Sequence, residues 1–131
     1  MNADSDIRAA LVALLQADGA LNAQVNRVYD GAPAKASPPM VVVGDCIGSD
    51  WATKDKAGRE LRLGVQIEDD RETPSRISTI MPLVDAGVQG LTGVIGAWQV
   101  GSLVMIRSRL VRNNAGRWVA VMDYRVRVLE V

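Results

Sequence analysis

Residues 27–45 read RVYDGAPAKASPPMVVVGD, and this stretch divides into a loop followed by a strand. The segment 30–39 contains three prolines and an Asp-Gly pair, which interrupt regular structure and predict a loop. The segment 40–44 is apolar and β-branched without alternation, which predicts a strand covered on both faces. Because an amphipathic segment precedes it, the stretch favours a domain in which a sheet packs against helices.

The residues before this stretch predict a helix with one buried face. Apolar side chains recur three and four positions apart, at Ile7, Ala10, Leu11, Leu14 and Leu15. Asp4 or Ser5 is suited to cap the start of this helix, and Gly19 is suited to end it in the left-handed conformation. Residues 21–28 predict a further short turn of helix.

After the stretch, the segment 59–69 alternates between apolar and polar residues, the pattern of a half-buried strand. A second helix is expected to start with Thr73 as its cap and Pro74 in the first position. Its apolar stripe consists of Ile77, Ile80, Met81, Val84, Val88 and Leu91. Pro82 falls inside this stripe, so the helix is predicted to kink or restart there.

The last third of the chain is predicted to be a long hairpin. Asn114-Ala115-Gly116 fits a three-residue turn that pairs Asn113 with Arg117. This register places on the core face Val104, Ile106, Leu110, Trp118, Ala120, Met122, Tyr124, Val126 and Val128. The opposite face carries Arg107, Arg109, Arg125 and Arg127, with Arg107 facing Asp123 across the strands. That face is either solvated or a surface for a neighbouring subunit or for DNA.

These elements predict a single domain over residues 1–131. The fold class is α+β, a two-layer domain with a mostly antiparallel sheet of four to five strands on two helices, in the order α-β-β-α-β-β. A strand over residues 117–130 would span about 46 Å, whereas a compact domain of this length is about 36 Å across. The strand must therefore bend, twist or overhang, and an overhanging edge favours assembly.

The segment 46–58 is polar and contains Trp51 as its only aromatic residue. Its 13 residues are many for a hairpin connection. One interpretation is a loop whose tryptophan folds back onto the body of the domain. The other is a projecting arm that reaches a neighbouring subunit, with Trp51 as its anchor and Lys54 and Lys56 beside it.

The composition argues against catalysis. The chain has no histidine and one cysteine, Cys46, so it cannot build a Ser-His-Asp or Cys-His nucleophile or a multi-Cys metal site. The acidic run 68–70 fits a solvated turn better than a converging catalytic pair. Gly87, Gly90 and Gly93 lack the Lys-Ser/Thr of a phosphate-binding loop. We expect no enzyme activity, no metal and no cofactor.

The charge balance argues against bulk attraction to nucleic acid or to an anionic membrane, because 15 Lys and Arg residues offset 15 Asp and Glu residues. No run approaches the roughly 20 apolar residues that cross a bilayer, so no membrane partner is expected. The first residues are acidic where a signal peptide would be basic. We expect the protein to be made in the cytoplasm.

Three motifs resemble one known family. They are the helical segment 7–21, IRAALVALLQADGAL, the triplet Arg27-Val28-Tyr29, and the segment 38–45, PPMVVVGD. Together they resemble the tail-completion, or tail-terminator, family of long-tailed phages, prophages and gene transfer agents. The order of the later elements is similar too, although the family often has an aromatic residue where this chain has Met40, and Pro82 is unexpected.

The resemblance implies a structural protein with a tail-tube-like fold. Family members form a ring, typically a hexamer, at the head-proximal end of the tail, where the ring ends tube polymerisation and meets the head connector. The expected partners are further copies of the chain, the tail-tube protein and the head-closure or connector protein, and DNA passes through the lumen without specific binding. The implied location is the tail or neck of a virion made in a bacterium. The residues expected at subunit contacts or on the lumen are Trp51, Lys54, Lys56, Arg107, Arg109, Arg125 and Arg127.

Two other functions stay open at the level of the sequence. The first is a different neck component, such as a head-closure or adaptor protein, which shares the small size and the ring habit. The second is a monomeric nucleic-acid-binding module that uses the arginine-bearing face of the hairpin.

Overall fold

The computed structural model describes residues 2–131 and places them in three helices and six strands. The helices are α1 (Ala3–Gln16), α2 (Gly19–Asn22) and α3 (Ser75–Val88). The strands are β1 (Arg27–Asp30), β2 (Met40–Asp50), β3 (Gly58–Asp69), β4 (Val94–Ile95), β5 (Trp98–Arg112) and β6 (Trp118–Glu130). The α+β class is confirmed. The described residues form three helices rather than the two predicted, and six strands rather than four to five, in the order α-α-β-β-β-α-β-β-β rather than α-β-β-α-β-β.

One sheet holds all six strands, in the order β1-β2-β3-β6-β5-β4. The β1–β2 pair is parallel and the other pairs are antiparallel. Helices α1 and α3 cover one face, where alternate residues of each central strand are buried. The core includes Ile7, Leu11, Leu15, Val41, Val43, Leu61, Val65, Ile77, Ile80, Val84, Met122, Tyr124 and Val126. None of the three helices in residues 2–131 covers the opposite face of the sheet, so this part of the chain forms two layers.

The first segment departs from its prediction at both helix ends. Asn2 rather than Asp4 or Ser5 caps α1, because its side-chain oxygen accepts a hydrogen bond from the Ser5 backbone N–H at 3.2 Å. Gly19 does not end α1 but begins α2, which Asp18 caps through the Leu21 N–H. The predicted helical turn over 21–28 is also wrong in its second half, where Val28 lies in strand β1 and pairs with Val41.

Strand β2 is longer than predicted. Its first part, Met40–Val43, lies between β1 and β3, and a bulge follows before Cys46–Asp50 continue along β3. The connection to β3 therefore spans only residues 51–57, and the segment 46–58 is not a loop throughout. Gly44 lies at the bulge, and Gly48 leaves room for the ion pair between Asp4 and Arg59.

Strand β6 lies at the centre of the sheet, between β3 and β5. It pairs with β3 over Trp118–Leu129 and with β5 over Trp118–Glu130, so it does not overhang. The predicted turn is confirmed, since the Asn113 N–H donates to the Arg117 carbonyl at 2.8 Å. The predicted register holds only near the turn, as in the Leu110–Ala120 pair.

Two bulges in β5 shift the rest of that register. They lie between Val100 and Ser102 and between Met105 and Arg107. Val104 consequently pairs with Arg125 on the open face, and Ile106 lies in the second bulge beside the open-face groove. Their assignment to the core is therefore wrong, because each bulge adds a residue and reverses the alternation beyond it.

Helix α3 is continuous over Ser75–Val88 and includes Pro82. The predicted restart at this residue does not occur, and Pro82 is exposed on the side of the helix that faces away from the core. The start of α3 lies one residue later than predicted, with Pro74 at the cap position and no side-chain cap. The buried stripe of Ile77, Ile80, Val84 and Val88 is confirmed.

Candidate assembly surface

The outer edge of β5 is unpaired over most of its length within residues 2–131. Strand β4 contacts β5 only at Trp98 and Gln99, so from Gly101 onwards β5 has β6 on one side and no strand on the other. Large apolar side chains are exposed along this segment: Val104, Met105, Ile106, Leu110 and Val111 are each 36–41% exposed. An unpaired strand with exposed apolar side chains is a template for pairing with another chain.

The exposure arises because the helical layer ends above β6. Ala120, Met122 and Tyr124 of β6 are buried under the helices. Their partners on β5, Leu110, Ser108 and Met105, lie one strand further out and are exposed. The face predicted for Leu110 is therefore correct, but none of the described helices covers this residue.

The four predicted arginines lie on the open face, and two carboxylates offset half of their charge. Arg107 Nε donates to Asp123 Oδ2 at 3.0 Å, as the sequence predicted. Arg127 Nε donates to Glu60 Oε1 at 3.0 Å, and Arg125 Nε lies 3.8 Å from the same oxygen. Arg109 is exposed and has no carboxylate within 4.0 Å among residues 2–131. Glu60 was not identified as part of this surface.

The 51–57 connection brings Trp51 back onto its own domain. The guanidinium of Arg127 lies 5.1 Å from the centre of the Trp51 ring, and the backbone N–H of Trp51 donates to the Gly58 carbonyl at 3.0 Å. Trp51 therefore lies against its own domain, and a contact of this connection with a neighbouring subunit stays a prediction. Lys54 and Lys56 are exposed at the tip of the connection.

A second unpaired edge lies on the opposite side of the sheet, and the sequence interpretation missed it. Strand β1 covers β2 only at Met40–Val43, so Cys46–Asp50 pair with β3 alone within the described residues. Ile47 is the most exposed large apolar residue of this edge, at 69%. The edge begins where Arg8 donates to the Val43 and Gly44 carbonyls, at 2.8 and 2.7 Å. The one available signal for a strand was Ile47, a β-branched residue that continues the apolar segment 40–44 beyond Asp45 and Cys46.

The open face between the two edges forms a shallow groove of about 550 Å³. Ile47 and Ile106 line opposite sides of the groove, and Arg62 and Arg107 lie between them. Residues 2–131 contain no group of three His, Cys, Asp or Glu side chains placed to hold a metal ion. Burial, with the nearby Asp4 carboxylate, raises the pKa of the Cys46 thiol to about 11, so the thiol is a weak nucleophile at neutral pH.

None of the described helices is both long enough and apolar enough to cross a membrane.

Unpaired, apolar strand edges of this kind are typical of proteins that assemble with other chains. A comparison with protein families also points to a protein that takes part in an assembly. The family described as Tail completion protein gp17 matches residues 9–129. The chain therefore belongs to the tail completion protein gp17 family, a family of structural proteins of phage tails. The resemblance seen in the sequence is confirmed.

A solved structure shares the fold. A chain in the structure titled "Virion of native gene transfer agent (GTA) particle" superposes with a TM-score of 0.83 and is 22% identical in sequence. The match covers 98% of the present chain and 99% of the other chain. Among curated proteins, none matches the chain.

Proposed function

We propose that the protein is a virion component that forms a ring, a hexamer, at the head-proximal end of a phage-like tail. The ring ends polymerisation of the tail tube and joins the tail to the head connector. Its partners are further copies of itself, the tail-tube protein and the head-closure or connector protein. The observation that carries this proposal is the family match over residues 9–129, which spans nearly the whole domain.

The exposed edge of β5 supports the ring. Val104, Ile106 and Val111 would stay in water in an isolated copy, and burial of such side chains favours association. The ion pairs on the open face support a passive lumen, because Arg107, Arg125 and Arg127 have local carboxylates and hold DNA weakly. In this proposal DNA passes the open face without specific binding.

The function is tested in a strain that produces the particles. Deletion of the gene should give headless tails of excess and variable length, and a plasmid copy should restore uniform tails. Immunogold electron microscopy should place the protein at one end of isolated tails. Label on heads that lack tails would instead support the head-closure alternative.

The 51–57 connection is proposed to add a contact between neighbouring copies, with Trp51, Lys54 and Lys56 at the contact. Trp51→Ala removes the ring that packs on Arg127 and should lower the oligomer mass measured by light scattering. The matched control is Lys35→Ala in the 31–39 loop, which should leave the mass unchanged. An unchanged mass for Trp51→Ala would show that this connection is not a main contact.

A further inference from the structure

We propose that the two unpaired edges of the sheet bind each other between copies, so that β5 of one copy pairs with residues 46–50 of β2 in the next copy. This inference rests on the proposed ring and names the strands that build it. The two edges are on opposite sides of one sheet, with β3 and β6 between them. Each copy therefore offers one edge of each kind, and a contact between unlike edges continues from copy to copy.

The strand directions suit this pairing. Strand β2 is antiparallel to β3, β3 to β6, and β6 to β5, so β2 and β5 of one copy run in opposite directions. When identical copies stand side by side around an axis, β5 of one copy then meets β2 of the next as an antiparallel pair. The backbone N–H and C=O groups that face away from β6 and β3 gain partners, and the sheet continues across the contact.

The charges of the two edges are complementary. Residues 101–112 of β5 contain Arg107, Arg109 and Arg112 and no acidic residue. Residues 45–50 of β2 contain Asp45 and Asp50 and no basic residue. Opposite charges on facing strands favour the mixed contact, whereas two β5 edges or two β2 edges would repel each other. The occupant of each edge is therefore the other edge of a second copy.

The exposed apolar residues also match. Ile47 on β2 and Val104 on β5 project from the same open face of the sheet, because they pair with Arg62 and Arg125 respectively, which pair with each other. Pairing of the edges would bring Ile47 beside the apolar residues of β5 in the next copy and remove both from water.

Cys46, the single cysteine, gives a direct test by disulfide trapping. It lies on the helix-covered face and is level with Met105 across the sheet, and Ser108 and Leu110 follow on the same face of β5. Met105→Cys, Ser108→Cys and Leu110→Cys sample three staggers between copies, since closing a sheet into a barrel shifts neighbouring strands along their length. Oxidation with diamide at pH 9 traps transient pairs as well as stable ones.

At least one of these three variants should give a ladder of multimers of 14.1 kDa on a non-reducing gel. The ladder must extend beyond the dimer, because each copy then carries one thiol on each edge. A Cys46→Ser/Ser108→Cys variant lacks the β2 thiol and should give no ladder, and Ser78→Cys on the exposed side of α3 reports random collisions. Absence of a ladder above this background in all three variants overturns the proposal.

Charge reversal gives a second test that does not depend on the stagger. Arg109→Glu/Arg112→Glu makes the β5 edge acidic, and Asp45→Lys/Asp50→Lys makes the β2 edge basic. Each variant alone should show a lower mass than the wild type in light scattering at low salt. A 1:1 mixture should recover the mass, because every contact in an alternating assembly is again between opposite charges. Circular dichroism checks that both variants are folded.

The proposal is wrong if either charge-reversed variant alone has the same mass in light scattering as the wild type. It is also wrong if the two folded variants do not recover the wild-type mass when they are mixed. These outcomes are separable from the proposed function. Tail length and immunogold labelling report whether the protein completes tails, whatever edges meet. If the protein completes tails but no disulfide ladder forms, only the proposed edge pairing is wrong. If ladders form but deletion of the gene leaves the tails unchanged, only the proposed function is wrong.

Discussion

Asp69 is a fully buried carboxylate at the end of β3, and Arg76 of α3 neutralises it. Arg76 Nε donates to Asp69 Oδ2 at 3.0 Å and its terminal nitrogen donates to Oδ1, while the Asp70 N–H donates to Oδ1 at 2.9 Å. Burial alone would raise the pKa of Asp69, but the guanidinium and the backbone N–H groups outweigh burial and lower the pKa below its ordinary value. This ion pair fixes the first turn of α3 to the sheet.

Asp69→Asn should lower the free energy of unfolding at pH 7 by about 2 to 3 kcal/mol, because Arg76, whose side chain is only 27% exposed, loses its buried partner. Urea denaturation measures the change. Asp70→Asn is the matched control, since Asp70 is 57% exposed and lies 3.5 Å from the same arginine. Its effect should stay below about 0.5 kcal/mol.

The stability difference between the wild type and Asp69→Asn should depend on pH. The folded pKa of Asp69 is lower than the unfolded pKa of about 4, so the stabilisation is present above pH 4 and is lost as the pH falls through the folded pKa. The stability difference between wild type and Asp69→Asn should therefore shrink below pH 4. A difference that is constant from pH 7 to pH 2.5 would contradict this role for the carboxylate.

At the scale of elements, α3 contains a proline in its interior. Pro82 lies eight positions into the helix, is exposed, and has no N–H to donate to the Ser78 carbonyl. Burial of Ile77, Ile80 and Val84 on the opposite side holds the helix together across it. The helix therefore continues through Pro82 instead of restarting there, which was one of the two outcomes that the sequence pattern predicted.

Pro82→Ala should stabilise the protein by about 1 to 2 kcal/mol, because it restores a backbone hydrogen bond and a good helix former. Thermal unfolding followed by circular dichroism measures the shift. Ser78→Ala on the same exposed side shows how much helix propensity alone contributes. A lower unfolding temperature for Pro82→Ala would show that the proline is required for the shape of α3.

The elements with a strong periodic pattern were predictable from the sequence. The elements that depend on pairing with a distant segment of the same chain were not. The alternation of β3 and the buried stripes of α1 and α3 follow directly from residue spacing. Strand β1 has only four residues, and its pairing with β2 depends on the loop between them. The bulges in β5 leave no local signature beyond Gly101, so the assignment of Val104 and Ile106 to a face could not be read from spacing alone.

The contacts of the candidate surface were likewise predictable only where they depend on a nearby turn. Arg107 and Asp123 were paired correctly because they are close to the turn that sets the register. The partnership of Arg125 and Arg127 with Glu60 joins strands about 65 residues apart in the chain and was not visible. The β2 edge was missed because Asp45, Ser49 and Asp50 are residue types that favour turns over strands.

At the scale of the whole molecule, Glu60 controls how basic the open face is. One carboxylate serves both Arg125 and Arg127, at 3.8 and 3.0 Å. Glu60→Gln should therefore release two arginines from their ion pairs and strengthen binding to non-specific duplex DNA. The binding constant should also fall more steeply with salt concentration, as expected when about one to two more counterions are released on binding. Fluorescence anisotropy at several salt concentrations measures both quantities.

Glu72→Gln is the matched control, because it makes the same change in net charge at an exposed residue that has no ion pair within residues 2–131. It should alter the affinity much less than Glu60→Gln does. Equal effects of the two variants would mean that net charge, rather than release of Arg125 and Arg127, governs contact with DNA.

The central position of β6 has a consequence for how the chain folds. Strand β6 joins β3 through pairs from Asp69–Trp118 to Gly58–Leu129, which are 49 to 71 positions apart in the chain. Long sequence separation between contacting residues slows folding, because a large loop must close before its contacts form. Until β6 docks, β3 and β5 are both without their shared partner. We therefore expect each copy to complete its own sheet slowly, and any encounter between copies during that interval to favour misfolded aggregates over ordered assembly.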